Sequence, residues 1–236
     1  MKLIKFLQRY LMDLPKIIWF NFKHFPLKVA IKLPVLLHKT ELMGGGKFII
    51  DSSTPIRTGM IRIGHRHVSH FRDTGAILDN KGTIIFKGTC RLGNSCAVSV
   101  GKNAELVMGD GFCATADVRV VCRKHIHIGR DVLVGWSAII MDTNFHRLKD
   151  KNGVFTDDGY SDVNIGNDNW IASGCKIMQD TKTPANAVIA ANAVLNRDYT
   201  DWGRYILIGG APAKLLKKDI YWDRSDDLPL YCLVTK

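Results

Sequence analysis

The chain has 236 residues, 46% of them hydrophobic and 23% charged, a length that suits one compact domain or one domain with an appendage. Ordinary apolar content and six scattered Cys exclude a disordered, collagen-like or disulfide-scaffold chain. The net charge of +11 is uneven: residues 1–40 hold eight basic side chains against one acid, Asp13, so +7 sits there and +4 spreads over the other 196 residues. A basic head on a nearly balanced body does not describe a nucleic-acid-coating surface, and no nucleic-acid partner is expected.

The head is apolar as well as basic. Leu3, Ile4, Leu7, Tyr10, Leu11 and Leu14 recur at helical spacing, with Lys2, Lys5, Arg9 and Lys16 elsewhere on the wheel. Pro15 is expected to end or kink that helix. The run Ile17 to Phe22 follows, then alternating Lys and apolar residues up to Pro34. No uncharged apolar run approaches the roughly 18–20 residues of a membrane span. Lys5 and Arg9 interrupt any signal-peptide core. The expected location is therefore cytoplasmic, with reduced cysteines. Two readings of the head remain: a helical cap on the body, or a basic amphipathic element on an anionic membrane surface through residues 1–40, and they can coexist.

From Gly44 the sequence changes character to a period of six. Counting from Ile165 gives Ile165, Ile171, Ile177, Thr183, Ile189 and Leu195, with Asn169, Cys175, Thr181, Ala187 and Ala193 four positions further along each unit. A second block runs Val100, Leu106, Phe112, Val118 with Ala104, Asp110, Ala116 and Cys122. A third runs Ile128, Val134, Ile140 with Val132, Ala138 and Asn144. A fixed short period marks a solenoid. Six residues suit a short strand plus a turn, one aliphatic inward and a small residue at the corner. The glycines after many aliphatics (Gly64, Gly93, Gly101, Gly129, Gly135, Gly166) are expected to serve corners where φ is positive. Cys96, Cys122 and Cys175 fall in small interior slots, as buried hydrophobes. No C-x-x-C occurs, and no metal is expected.

The motifs with the most information are Val163-Asn164-Ile165-Gly166, Asn169-Trp170-Ile171-Ala172-Ser173-Gly174, Val188 to Asp198, and the closing Gly209-Gly210-Ala211-Pro212-Ala213-Lys214. Together they resemble the hexapeptide-repeat acyltransferase family, closest to sugar and surface-polysaccharide O-acetyltransferases. The resemblance covers roughly residues 60 to 200. It implies a mainly β fold, a left-handed parallel β-helix over 44–210, after a basic N-terminal segment 1–43 and before a C-terminal tail 211–236. It also implies a homotrimer with each site between two subunits, and acetyl-CoA as the acyl donor.

In that family one His on an insertion-bearing turn is the general base, and Met141-Asp142-Thr143-Asn144-Phe145-His146 matches the turn. The following segment 147–162 breaks the six-residue phase and reads as a loop extruded between coils. The chemistry agrees: imidazole has a pKa suited to taking a hydroxyl proton at neutral pH. Asp142 is expected to orient His146 or bind the acceptor, and Trp136 to line the acceptor site. By the resemblance Trp170, Ser173, Gly174, Ala191, Asn196, Arg197, Lys214 and Lys217 contact coenzyme A, the last three near its phosphates. Ala190-Ala191-Asn192 and Asn196 depart from the commonest pattern. The expected acceptor is a sugar or polysaccharide-precursor hydroxyl, with an amino-sugar nitrogen or an antibiotic hydroxyl left open. Two alternatives stand beside it: a non-catalytic β-helical scaffold, and a metalloenzyme like the gamma-class carbonic anhydrases, for which His65 and His70 have a suitable offset. His65, His67, His70, His125 and His127 are otherwise expected on exterior or lateral positions.

Overall fold

A computed structural model describes residues 11–225. The head positions Leu3, Ile4, Leu7 and Tyr10, with Lys2, Lys5 and Arg9, lie outside the described residues, as does the end of the tail. The period of six becomes a three-sided parallel β-helix. Its first sheet has nine strands, its second seven and its third five, and successive strands along the chain pass from one side to the next. Trp170 and Ile171 pair in parallel with Val188 and Ile189 of the next coil, and those with Leu207 and Ile208 of the one after. The six-residue set from Ile165 to Leu195 is buried throughout, and so are its small partners Asn169, Cys175, Thr181, Ala187 and Ala193. Small residues are needed there because two walls converge at each corner. Asp110 and Asn144 are the exceptions, half-exposed where their slots reach the surface.

The corner glycines act differently from the expectation. Gly64 has φ +82°, but Gly93, Gly101, Gly129, Gly135 and Gly166 do not lie in the left-handed region. They are small because the next coil passes where a Cβ would stand: one on Gly135 would meet the Ser173 nitrogen at 2.7 Å, one on Gly166 the Pro184 oxygen at 2.5 Å. The left-handed residue of each corner comes two positions later, at Ser95, Asn103, Asp131, Ser137 and Asp168. Asn and Asp tolerate that conformation best after Gly, and Ser takes it here in a tightly hydrogen-bonded turn.

The coils begin earlier than expected. Strands Val35–Leu37, Glu41–Met43 and Lys47–Ile50 form the first coil, so the expected boundary at residue 44 falls inside it. Leu11 is helical and Met12 and Asp13 form a turn, so the helical run breaks just ahead of Pro15 as expected; Pro15 then sits in the first turn of α1 (Leu14–His24), where its missing N–H costs nothing. α1 buries Ile17, Phe20 and Asn21 against the open end of the first coil. Asn21 behaves as a missing strand, donating from Nδ2 to the Val35 carbonyl at 2.8 Å and accepting the Val35 N–H at 3.1 Å. The Phe20 ring lies 4.9 Å from that of Phe48. An open sheet edge invites unwanted pairing, and the helix covers it. A short helix, α2 (Leu27–Ala30), leads into the first coil. At the other end Lys214–Lys218 folds back antiparallel on Ile206–Gly209.

His38 ties these parts together. Its Nδ1 lies 2.9 Å from Asp13 and its Nε2 3.0 Å from Asp73, joining the start of α1 to the loop 66–76. Partial burial works against the ionised Asp73, but hydrogen bonds from His38 and Lys39 outweigh it and hold its pKa below the ordinary carboxylate value. His65 stacks on the same ring at 5.6 Å and is buried, contrary to the exterior position expected. The strand pairing slips between Ile63 and His65, where Gly64 takes its positive φ, and this upsets simple alternation.

Candidate active site

Two edges of the prism carry the candidate residues. The edge between the first and second sheets bears a groove of about 430 Å³. Trp136, Trp170, Ser173 and Ala191, four residues singled out in the sequence, line it. Its floor is an outward ladder of the first sheet, Leu133, Trp170, Val188 and Leu207, each in register with the next. Gly174 lies one residue beyond Ser173, its N–H donating to the Trp136 carbonyl at 3.0 Å. Leu133, Val188, Leu207 and Thr115 were not foreseen. Their signal was the position before or after an inward aliphatic, which points outward by strand alternation.

The corner backbone of this groove follows a rule. N–H groups of Gly135, Ala172 and Ala190 bond the next coil, and those of Ser137, Gly174 and Asn192 bond a neighbouring coil as well. The N–H groups between them, on Trp136, Ser173 and Ala191, take no part in that ladder. They recur at the same corner of successive coils beside the groove, about 4.8 Å apart by the spacing of paired strands. His70 of the loop 66–76 sets its ring perpendicular to that of Trp136, with centres 5.1 Å apart. His65 and His70 thus engage different partners, His38 and Trp136.

The edge between the second and third sheets carries the other group. Strand Ile139–Met141 of the second sheet leads into the segment before Val163–Ile165 of the third, and that segment is an extruded hairpin. Thr143 bridges Tyr160 and Lys149 bridges Phe155, both antiparallel. Arg147 lies 3.6 Å from the Phe155 ring centre, so the loop packs on itself. His146 is exposed, its N–H held by Asn144 Oδ1 at 3.2 Å. Asn196 and Arg197 occupy the same edge two coils on, where Arg197 lies over Tyr199 and Trp202 at 5.2 and 5.0 Å. Lys214 and Lys217 are exposed on the folded-back strand, with Lys217 opposite the groove residue Leu207.

Asp142 needs a correction. It is 0% exposed, and its two carboxylate oxygens accept the N–H groups of Arg123 and Lys124 at 2.7 and 2.8 Å. It therefore neither orients His146 nor meets an acceptor; it fastens the base of the hairpin to the coil below. Asp142→Ala removes two charge-assisted bonds in a buried corner and is expected to cost about 3 kcal/mol. Thermal unfolding would show that as a fall in Tm of roughly 10 °C. An unchanged Tm would refute this role.

The buried cysteines are not nucleophiles. Burial pushes the Cys96 thiol up to about 12 and that of Cys175 to about 11. Burial also raises Cys122, helped by the charge of Asp142. Among the described residues no three or more His, Cys, Asp or Glu side chains gather as a metal cluster. No helix among them is long and apolar enough to cross a membrane.

No protein-family model matches the chain. It is 24% identical over 191 residues to an uncharacterized 24.8 kDa protein in the cps region of Klebsiella pneumoniae, covering 79% of this chain and 83% of that protein. A chloramphenicol acetyltransferase of Morganella morganii is 42% identical over 57 residues, 24% of this chain and 26% of that protein. Among solved structures, the polySia-specific acetyltransferase NeuO shares 16% identity at a TM-score of 0.44, with 83% of this chain and 97% of that chain covered. By its six-residue period and its three parallel sheets, the chain has the fold of a three-sided parallel β-helix.

Proposed function

We propose that the chain is an acetyl-CoA-dependent O-acetyltransferase acting on a hydroxyl of a sugar or surface-polysaccharide precursor, with His146 as general base. The observation that carries this reading is the groove: an apolar floor with backbone N–H groups recurring beside it suits a long, amide-bearing thioester arm. Acetyl-CoA supplies the activated acetyl group. Trp170, Ser173, Gly174 and Ala191 would hold the arm, and Lys217 and Lys214 at the end of the first sheet would face its phosphates. The likeness of 57 residues to a chloramphenicol acetyltransferase supports acetyl transfer.

A single chain does not unite the groove with His146. Between Trp136 and Asp142 runs one whole side of the prism, about 20 Å of extended chain. The site is therefore completed by a second copy, whose hairpin edge meets this groove edge. Because donor and acceptor edges differ, the contact is heterologous, and a closed ring of three satisfies every edge. Asn196 and Arg197, on the hairpin edge, then reach the neighbour's groove beside His146. In that shared site His146 takes the proton of the acceptor hydroxyl as its oxygen attacks the acetyl carbonyl; the C–S bond then breaks, and the departing CoA thiolate takes up the proton from the imidazolium. Trp136 lines the acceptor end, and a backbone N–H of the groove would stabilise the negative charge that develops on the carbonyl oxygen. The expected place of action is the cytoplasm, at the inner face of the membrane.

The test is a panel of sugar hydroxyl, amino-sugar and chloramphenicol acceptors with acetyl-CoA, reading thiol release. Release that depends on a sugar hydroxyl supports the proposal. Release with an amino sugar alone would move the chemistry to nitrogen, and a chain that neither binds acetyl-CoA nor releases thiol would sink it.

A further inference from the structure

The acetyl-transfer reading makes no use of the outer side of the N-terminal cap. While α1 turns Ile17, Phe20 and Asn21 inward, Leu14, Ile18, Trp19 and Phe22 remain 39% to 50% exposed. Next to them Leu27 and Ile31 are 67% and 62% exposed. Single exposed apolar residues are ordinary, but a contiguous set marks an interaction surface. Cations are interleaved with it: Lys23, Lys28 and Lys32 are exposed, and Lys23 Nζ stands 4.5 Å from the Trp19 ring centre. Asp13, the one acid between residues 11 and 32, is buried and engaged by His38 and the Lys39 N–H. Among the described residues, the outer side of α1 and α2 is thus apolar and cationic, with no acid of its own exposed.

We infer that this face docks on the surface of an anionic lipid bilayer. Trp19 and Phe22 are suited to the headgroup boundary, and the lysines to anionic headgroups. Charge favours this occupant over a second copy, since two such faces end to end would oppose cations with no acid to pair. Position favours it too. α1 covers the open end of the first coil, so the face lies at the end of the stack, away from the lateral edges that carry the groove and His146. At about 4.8 Å per coil the groove stands on the order of 20 Å from the capped end, clear of the bilayer. The inference rests on α1 and α2 alone and holds whatever the groove binds.

Flotation of the full chain with vesicles of phosphatidylcholine and phosphatidylglycerol, two to one, tests it against phosphatidylcholine alone. Co-flotation with the anionic vesicles and at least tenfold less with the neutral ones is expected. Lys23→Gln with Lys28→Gln should weaken partitioning about 30-fold at low ionic strength, at roughly fivefold for each lysine. Trp19→Ser with Phe22→Ser should weaken it at least tenfold. Both variants should keep the wild-type Tm, because the four side chains are exposed. Three results would overturn the inference: no flotation, equal flotation with neutral vesicles, or variants that float like wild type. A lipid-free chain that self-associates through this face, and loses that association in the same variants, would assign it to a second copy instead. Capture of an acidic protein in place of vesicles would assign it to that partner.

Discussion

Replacing His146 by Ala lowers acceptor-dependent thiol release by roughly 10²- to 10⁴-fold, the contribution of a positioned general base. Acetyl-CoA affinity should change little, because the proposed hold on the donor comes from the groove residues Trp170, Ser173, Gly174 and Ala191 rather than from the imidazole. Tm should also hold, since the side chain is exposed and its loop is held by Thr143, Asn144 and Gly159. The test is a steady-state assay with the acceptor identified in the panel. Full activity in His146→Ala would remove the base from the mechanism. A parallel loss of Tm would recast the residue as structural.

The second large effect is a recovery. Ala191→Trp fills the groove of its own chain, and His146→Ala disables the hairpin edge that faces a neighbour. Each variant alone should be nearly inactive. Dissociated together in equal amounts and reassembled, they should regain about one quarter of wild-type activity, because one site in four then pairs an intact groove with an intact His146 in a closed ring. The check is the same assay after mixing, with each variant unmixed as control. No recovery, in rings shown by mass to contain both variants, would place the groove and the base in one chain.

Much of this was legible in the sequence because the six-residue period is itself the fold. Each large aliphatic from Ile165 to Leu195 points inward because a coil must bury one per side, and each small partner sits where walls converge. The break in phase after Asn144 marked the hairpin, since a stretch out of step cannot lie in a coil. Errors came where the deciding neighbour was in another coil. Asp142 stands four residues from His146 in sequence, yet its carboxylate is claimed by N–H groups 18 and 19 residues back. Gly135 was expected to supply a positive φ, but it is the backbone at Ser173 that requires its lack of a Cβ. Val35–Leu37 was hidden for a related reason. The first coil is covered on its open side by a helix, so Phe48 answers to Phe20 rather than to a preceding coil. Adjacency along the chain carries no information about such partners, whereas period does.

The central claim is that the groove between the first and second sheets holds the acyl donor. Titration calorimetry of the full chain with acetyl-CoA measures it most directly, without knowledge of the acceptor. Wild type should bind, and Ala191→Trp should bind at least tenfold more weakly at unchanged Tm, because the new indole occupies the space beside Ser173. Absence of binding by the wild-type chain, or equal binding by the two, would contradict it.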